Sequence, residues 1–271
     1  MAPAGYRIPA AENTCGERGT LPARDAVLRP GVRRRGEAVP DDADSRRANP
    51  ASTAFRVRPY RREDRAGVRR VTFETGYMGD PIDWLWRDPE SFADLLTTYY
   101  TDREPESLLV VDRGGEVVGY LMGCLESART RGVSARAARR LVRRGGLLRP
   151  GIAGFLWRSI FDALGDHGVP DEYLDDARWP AHLHINLLPE ARGRGAGAAL
   201  MNTWLERLRE RDCPGVHLGT FFENHNAIAF FESRGFRRYG GPMPAPGFRT
   251  RAGERMHVQW MVQSLRGSAP C

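Results

Sequence analysis

Lysine is absent from this chain. All 41 basic residues of the 271 are arginine, set against 34 acidic residues for a formal net charge of +7. Exclusive use of arginine reads as a codon-level bias rather than as selection for phosphate contacts. The surplus is also local: Arg129, Arg131, Arg136, Arg139, Arg140, Arg143, Arg144 and Arg149 lie between Ser127 and Pro150, with no acid among them. Basic patches that bind nucleic acid come with aromatic platforms or a recognised module, and neither accompanies this one. Nucleic acid is not an expected partner.

Other absences narrow the field further. The four cysteines (Cys15, Cys124, Cys213 and Cys271) are far apart and form no C-x-x-C pair, so neither a zinc framework nor a disulfide-stapled module is written here. No metal is expected. No apolar run reaches the roughly 18 residues that a membrane span requires, and no membrane partner is expected. The opening "MAPAGYRIPAAENTCGERG" lacks the apolar centre of a signal peptide, which makes a reducing cytoplasm the expected compartment. The hydrophobic fraction, 41%, is slightly low for a wholly globular chain and hints at a segment outside the core.

That segment is residues 1–53, rich in Arg, Pro, Gly, Ala and Asp without a sustained period. Such a stretch buries too little apolar surface to offset its ordering entropy and is expected to be a disordered tail. From residue 54 to 266 the texture is that of a folded domain, with 267–271 a second tail. "FRVRPY" alternates as a strand, and "REDRAGVRRVTFETG" follows as a helix with Val68, Val71 and Phe73 inward and Gly76 as its stop. Asp88-Pro89 reads as an N-cap and first helical residue. "DRGG" between two apolar runs is a hairpin signature. Residues 127–180 read as a helical insertion, with one helix around Ala135–Arg144 and another in "GIAGFLWRSIFDALGD". "AHLHINLL" is the next strand, followed by an amphipathic helix with Leu200, Trp204 and Leu208 four apart. "GVHLGTF", a short helix stopped by Gly235 and "ERMHVQWMVQSL" complete a mixed α/β order.

The stretch "HLHINLLPEARGRGAG" carries the chemistry. Arg192, Gly193, Arg194, Gly195, Ala196 and Gly197 stand where that strand hands over to the helix. The first N–H groups of a helix have no internal partner and carry partial positive charge. Glycines let an anion approach them, and the two arginines would add charge-assisted hydrogen bonds, so the corner suits a pyrophosphate. It is neither a complete G-x-G-x-x-G fingerprint nor a P-loop. A glycine-rich turn without a ligand is the plainer alternative.

Arg192-x-x-Gly195-x-Gly197 resembles the (Gln/Arg)-x-x-Gly-x-(Gly/Ala) motif of the GNAT superfamily of acyl-CoA-dependent N-acyltransferases. "NHNAIAFFESRGF", with Asn224, Ala227, Phe231 and Gly235-Phe236, resembles the second family signature, N-x-x-A-x-x-x-Y-x-x-x-G-F. The two occur in the expected order, and the resemblance covers roughly residues 55–264. "YYTDREPESLLVV" and "WPAHLHINLLP" are further similar to bacterial members related to the acetyltransferase-like C-terminal domain of human O-GlcNAc hydrolase.

The resemblance implies a central, mostly antiparallel sheet flanked by helices, with a helical insertion before a central strand that splays from its neighbour. It implies acetyl-CoA as acyl donor and no metal. Backbone groups of Leu187 and Leu188 would pair with the pantetheine arm, Gly193 to Gly197 would hold the pyrophosphate, Asn224 would contact the arm, and Phe231 would pack near the thiol. Many members carry Tyr at the Phe231 position, where the phenol protonates the departing thiolate; relatives in the subgroup often carry Asp at Asn186.

An amine must lose a proton before it attacks a thioester, so a base is useful. His182, His184, Glu172, Asp175 and Asp176 are the candidates for it, with Asn186 beside them. Strand alternation puts His182 and His184 on one face and Leu183, Ile185 and Leu187 on the other. Two hydrogen-bonded structural histidines are the alternative, and a zinc pair lacks a third ligand. Tyr99, Tyr100, Glu104 and Glu106 are candidates for the acceptor mouth, as is the Arg-rich insertion, or both are ordinary surface. The expected function is acetyl transfer to a primary amine of a small molecule or peptide. A catalytically weak acyl-CoA-binding module, motivated by Phe231, is the rival. A homodimer is compatible with either.

Overall fold

The computed structural model describes residues 54–130, 132–143, 145–149, 151–165 and 174–266. The tails expected at 1–53 and 267–271, and Glu172, lie outside the described residues. In chain order the elements are β1 (Arg56–Pro59), α1 (Arg65–Glu74), α2 (Pro89–Asp102), β2 (Leu108–Arg113), β3 (Glu116–Cys124), α3 (Val133–Arg143) and α4 (Ala153–Gly165). Then come β4 (Ala181–Leu187), α5 (Ala196–Glu210), β5 (Gly215–Phe221), α6 (His225–Ser233), β6 (Arg237–Arg249) and β7 (Arg255–Ser264).

The local signals explain the boundaries. Asp88 Oδ1 accepts from Ser91 N at 3.3 Å and starts α2 one residue before Pro89. Gly114 and Gly115 both have positive φ, which a tight hairpin turn between β2 and β3 demands, and Asp112 Oδ1 accepts from Gly115 N at 2.8 Å. Leu200, Trp204 and Leu208 form the wholly buried stripe of α5. Gly123 on β3 is required by a close approach, since an added Cβ would collide with the Trp204 ring.

The seven strands form one sheet in the order β1-β2-β3-β4-β5-β7-β6. Every neighbouring pair is antiparallel except β4 and β5. Helices α1 and α2 cover one face, where Thr72 Oγ1 donates to Tyr120 Oη at 2.9 Å and His182 meets Tyr100. Helix α5 covers the other, and Leu183 and Leu218 join its core cluster.

Alternation does not reveal β6. Its sequence, "RRYGGPMPAPGFR", holds three prolines and three glycines and reads as a loop. Proline is tolerated there because β6 is the edge of the sheet and its pairing with β7 is broken by bulges. The inserted α4 lies against this strand. Its inward side, at helical spacing, is Phe155, Arg158, Ser159 and Asp162, and each grips the hairpin of β6 and β7. Phe155 packs edge-on against Phe248, and Arg158 Nε and Ser159 Oγ donate to the carbonyls of Gly247 and Pro246. The carboxylate of buried Asp162 accepts from Gly247 N at 2.9 Å and from both Arg249 Nη atoms at 2.7 Å, and pairs with Arg255 at 3.2 Å. The Arg249 hydrogen bonds hold it down to about pKa 2 against the opposing effect of burial.

Removing one partner of such a buried pair leaves the others desolvated and uncompensated. Asp162→Ala should lower unfolding stability by about 3 kcal/mol, measured by urea denaturation at pH 7, and Asp162→Asn by less. A loss below about 0.5 kcal/mol for the alanine variant would mean that the clamp is not holding the hairpin.

Candidate active site

Strand β4 pairs with β3 from Cys124↔His182 to Gly119↔Leu187. With β5 it pairs only at Ala181↔Val216 and His182↔His217. Beyond His182 the two parallel strands part, and β4 runs on to the bend paired with β3 only. Leu188 N donates to Val118 O at 2.9 Å, which fixes the phase of the β3 ladder: alternate residues Asn186 and His184 turn their backbone groups to β3. Ile185 and Leu187 turn theirs towards the parted side.

This phase differs from the expectation for Leu188. Its N–H goes to Val118, and its carbonyl accepts from Ala191 N at 3.0 Å. Both of its backbone groups are engaged within the protein. Leu187 O accepts from Arg192 Nε at 2.9 Å, while its N–H faces the gap.

The bend has the geometry of an open helix start. Gly195 is the N-cap of α5 with φ +82°, and Gly193 has φ +68°. Nothing lies within 4 Å of where a side chain would sit at either position. Both glycines are exposed, whereas Ala196 and Gly197 are buried. A Cβ on Gly197 would stand 3.2 Å from Leu187 Cδ1 and 3.4 Å from Phe230 Cζ, so α5 sits tightly on β4 and α6 there. Arg194 is exposed, its guanidinium 5.7 Å from the Phe55 ring. Arg192 has a structural attachment, donating to Leu187 O and to Gly79 O and so tying the loop after α1 to the end of β4. Asn224 caps α6, its Oδ1 accepting from Ala227 N at 3.1 Å. Phe231 is buried edge-on between Phe230, at 5.4 Å, and Phe236, at 5.9 Å.

On the other face of β4, His182, His184 and Asn186 stand in a row, as alternation requires. His182 is enclosed. Its Nε2 lies 2.7 Å from Tyr100 Oη and its Nδ1 2.7 Å from Ser127 Oγ. Ser127 Oγ also donates to Pro180 O at 2.8 Å. Ser127 has one proton, so all three contacts are hydrogen bonds only when Nδ1 carries the imidazole proton and Tyr100 donates to Nε2. Burial, reinforced by the charges of His184 and His217, pushes His182 well below the usual range. His184 is half-buried, its ring 5.7 Å from those of His182 and Tyr100, and burial lowers it to about 4. Asn186 Nδ2 donates to Thr75 Oγ1 at 2.5 Å and Thr75 O at 3.3 Å, fastening β4 to the end of α1.

A third histidine, His217 of β5, was not singled out by the sequence. It is buried 5.8 Å from the His182 ring, with Nδ1 donating to Trp179 O at 2.7 Å and Nε2 accepting from Leu174 N at 3.3 Å. Burial lowers it too, opposed by the Trp179 carbonyl. The alternating pattern of "GVHLGTF" puts it on the same face as the β4 histidines, a signal legible once the two strands are known to be neighbours. Among the described residues no three of His, Cys, Asp or Glu converge so as to hold a metal ion.

Of the acidic candidates for the base, Asp175 and Asp176 are among the described residues and precede β4. Asp176 is paired with Arg178 at 2.7 Å and precedes β4, whose seven residues span roughly 20 Å before the bend. Glu104 is buried, accepting from Ser107 Oγ, Leu125 N and Tyr99 Oη, and Tyr99 Oη also meets Cys124 Sγ at 3.6 Å. Tyr99, Tyr100 and Glu104 therefore form a polar layer behind the histidines rather than an acceptor mouth, and Glu106 is exposed.

A glycine bend at the start of a helix thus lies beside two residues of parallel pairing and a widening gap between β4 and β5. The model of the acetyltransferase (GNAT) family matches residues 79–236, more than half of the chain, and the chain belongs to that family. Among solved structures, SsHAT is 27% identical, with 78% of this chain and 98% of that one covered at a TM-score of 0.56. The yncA protein of Salmonella typhimurium, solved with its cofactor acetyl-CoA, is 16% identical over 80% of this chain and 97% of its own (TM-score 0.49). An N-acetyltransferase of Staphylococcus aureus Mu50 is 12% identical over 79% and 99% (TM-score 0.48).

The histidine trio has a consequence for stability. All three are held neutral in the folded protein and titrate near pH 6.5 once unfolded. Below that pH the unfolded chain binds more protons, so stability falls, by up to about 1.4 kcal/mol per pH unit for each histidine. The carboxylates held low by arginines, such as Asp162, act only below about pH 4. Denaturation midpoints followed from pH 7 to pH 4.5 should drop steeply. A flat profile over that window would show that these imidazoles are accessible to protons.

Proposed function

We propose that this chain transfers an acetyl group from acetyl-CoA to a primary amine of a small molecule or peptide, by direct attack within the gap between β4 and β5. The observation that carries the reading is the end of β4–β5 pairing after His182↔His217, immediately before an open glycine bend. In this reading the N–H groups opening α5 take the pyrophosphate, with Gly193 and Gly195 giving it room and Arg194 adding charge. The pantetheine amides run beside Ile185 and Leu187 in place of a strand, and the pairing expected of Leu188 moves to these two. Asn224 and Ala227 hold the start of α6 against the arm. An N–H of the parted segment polarises the thioester carbonyl as oxyanion charge develops.

The amine approaches from the opposite face, past His184. In this reading that neutral imidazole serves as the base, while His182 and Asn186 fix the strand beneath it. With Phe231 offering no proton, the CoA sulfur departs as thiolate, which a thiol of pKa near 8.5 permits. A cytoplasmic setting and kinship to the acetyltransferase-like domain of O-GlcNAc hydrolase belong to the same proposal and are carried by sequence alone.

Acetyl-CoA should raise Tm, and a panel of amines should release free CoA from it. Arg194→Glu should weaken acetyl-CoA binding about tenfold by calorimetry with Tm nearly unchanged. His184→Gln should lower kcat about 10²-fold while acetyl-CoA affinity stays within about twofold. Tight acetyl-CoA binding without release by any amine would favour the rival, an acyl-CoA-binding module, which the apolar surroundings of Phe231 also fit. Absence of acetyl-CoA binding would defeat both.

A further inference from the structure

The turn between β6 and β7 carries Arg251, and its environment differs from that of its neighbours. Arg249 and Arg255 share the Asp162 carboxylate. Among the described residues no carboxylate pairs with Arg251. Its guanidinium instead lies over two aromatic rings, 5.4 Å from the centroid of Trp84 and 5.8 Å from that of Tyr77. Those rings meet edge to face at 5.0 Å and 84°. Tyr77 is buried, which raises its phenol above the ordinary range and keeps it protonated.

This aromatic pair borders the parted segment of β4. Thr75, two residues before Tyr77, is bonded by Asn186, and Gly79, two residues after it, is joined through Arg192 to Leu187. Tyr77 thus stands beside the mouth on the α1/α2 side, the side left to the acceptor because α5 and its glycine bend occupy the other. The turn itself is fixed: Thr250 N donates to Glu254 O at 2.8 Å, Gly253 N to Thr250 O at 2.9 Å, and the Asp162 clamp holds the strands leading into and out of it.

A guanidinium held beside aromatic rings, with no carboxylate paired to it among the described residues, keeps N–H donors for a ligand, and its planar fork matches a carboxylate in two parallel hydrogen bonds. We propose that Arg251 is an acceptor-binding residue and that the acceptor amine carries a carboxylate, which this guanidinium grips while the amine is presented to the thioester. The inference rests on the acetyl-transfer reading and narrows its substrate class. Tyr77 and Trp84 stand beside the guanidinium, and the Asp162 clamp of α4 holds the strands that carry its turn.

The test uses matched amines, amino acids against their own carboxamides, with the full chain. Acetylation should favour the acids by about tenfold or more in kcat/KM, with the difference in KM. In Arg251→Gln that preference should collapse towards unity, and Arg251→Lys should restore only part of it, because lysine supplies charge without the fork. Binding of the same pairs to protein saturated with CoA, measured by calorimetry, gives a readout independent of turnover. Preference for the acid in binding but no acetylation would overturn the acetyl-transfer reading and leave Arg251 as a carboxylate site. Acetylation without preference, a preference that survives Arg251→Gln, or binding of neither member of a pair would overturn the assignment of Arg251.

Discussion

Strand β4 satisfies β3 from His182 to Leu187 but satisfies β5 for only two residues, and the candidate site follows from that asymmetry. Backbone N–H and C=O groups need partners. The phase of the β3 ladder leaves Ile185 and Leu187 facing away from β3 at the depth where β5 has already diverged. A ligand rich in amides is the natural neighbour for such a segment, since it can continue the ladder that β5 abandons. Parallel neighbours require a crossover, here α5, and Gly197 brings the first turn of that helix against Leu187 and Phe230. The start of the crossover helix therefore lies at the carboxyl end of a parallel strand, where helix N–H groups and sheet edge converge.

Alternation along β4 then divides the labour between the two faces of the sheet. Leu183, Ile185 and Leu187 turn to the α5 side, where the candidate donor site is built largely from backbone and glycine. His182, His184 and Asn186 turn to the α1/α2 side, where contacts are made by side chains. The histidines there are held neutral by burial and by one another, so the row itself carries no fixed positive charge. Such a lining does not repel an incoming ammonium, and His182 gains its rigidity from Tyr100 and Ser127 on either side of its ring.

How much of this the sequence discloses depends on whether the cause is local. The cap at Asp88, the DRGG hairpin, the α5 stripe and the Arg-Gly bend are each specified by residues within a few positions of one another, and each is where sequence reasoning puts it. Strand β6 is not, because its prolines are tolerated only by virtue of being at a sheet edge, which is a fact about topology. The phase of Leu188 depends on which residue of β3 lies opposite, and one step of register exchanges the engaged and the outward backbone groups. Tyr99 and Glu104 look like polar residues near a mouth, but they close on Cys124 and Leu125 in a buried layer that no linear spacing encodes. His217 joins His182 only because β4 and β5 are neighbours in space.

The insertion between β3 and β4 is the part of the chain least explained by the requirements of the donor site, and its contacts indicate a reason for it. Helix α4 uses its inward side, Phe155, Arg158, Ser159 and Asp162, on the hairpin of β6 and β7 rather than on the bend or on α5. A bulged, proline-rich edge strand has few ladder hydrogen bonds of its own to fix its shape, and its outer side would otherwise have no partner. A buried carboxylate reaching Gly247 N, Arg249 and Arg255 supplies that constraint with charge-assisted bonds whose geometry permits little drift. The outer residues of the helices, including Arg136, Arg139 and Arg143, remain exposed, so the basic character of the insertion is a solvent-facing property while its inward side is structural. Helix α4 thereby acts on the hairpin of β6 and β7, positioning the turn that carries Arg251.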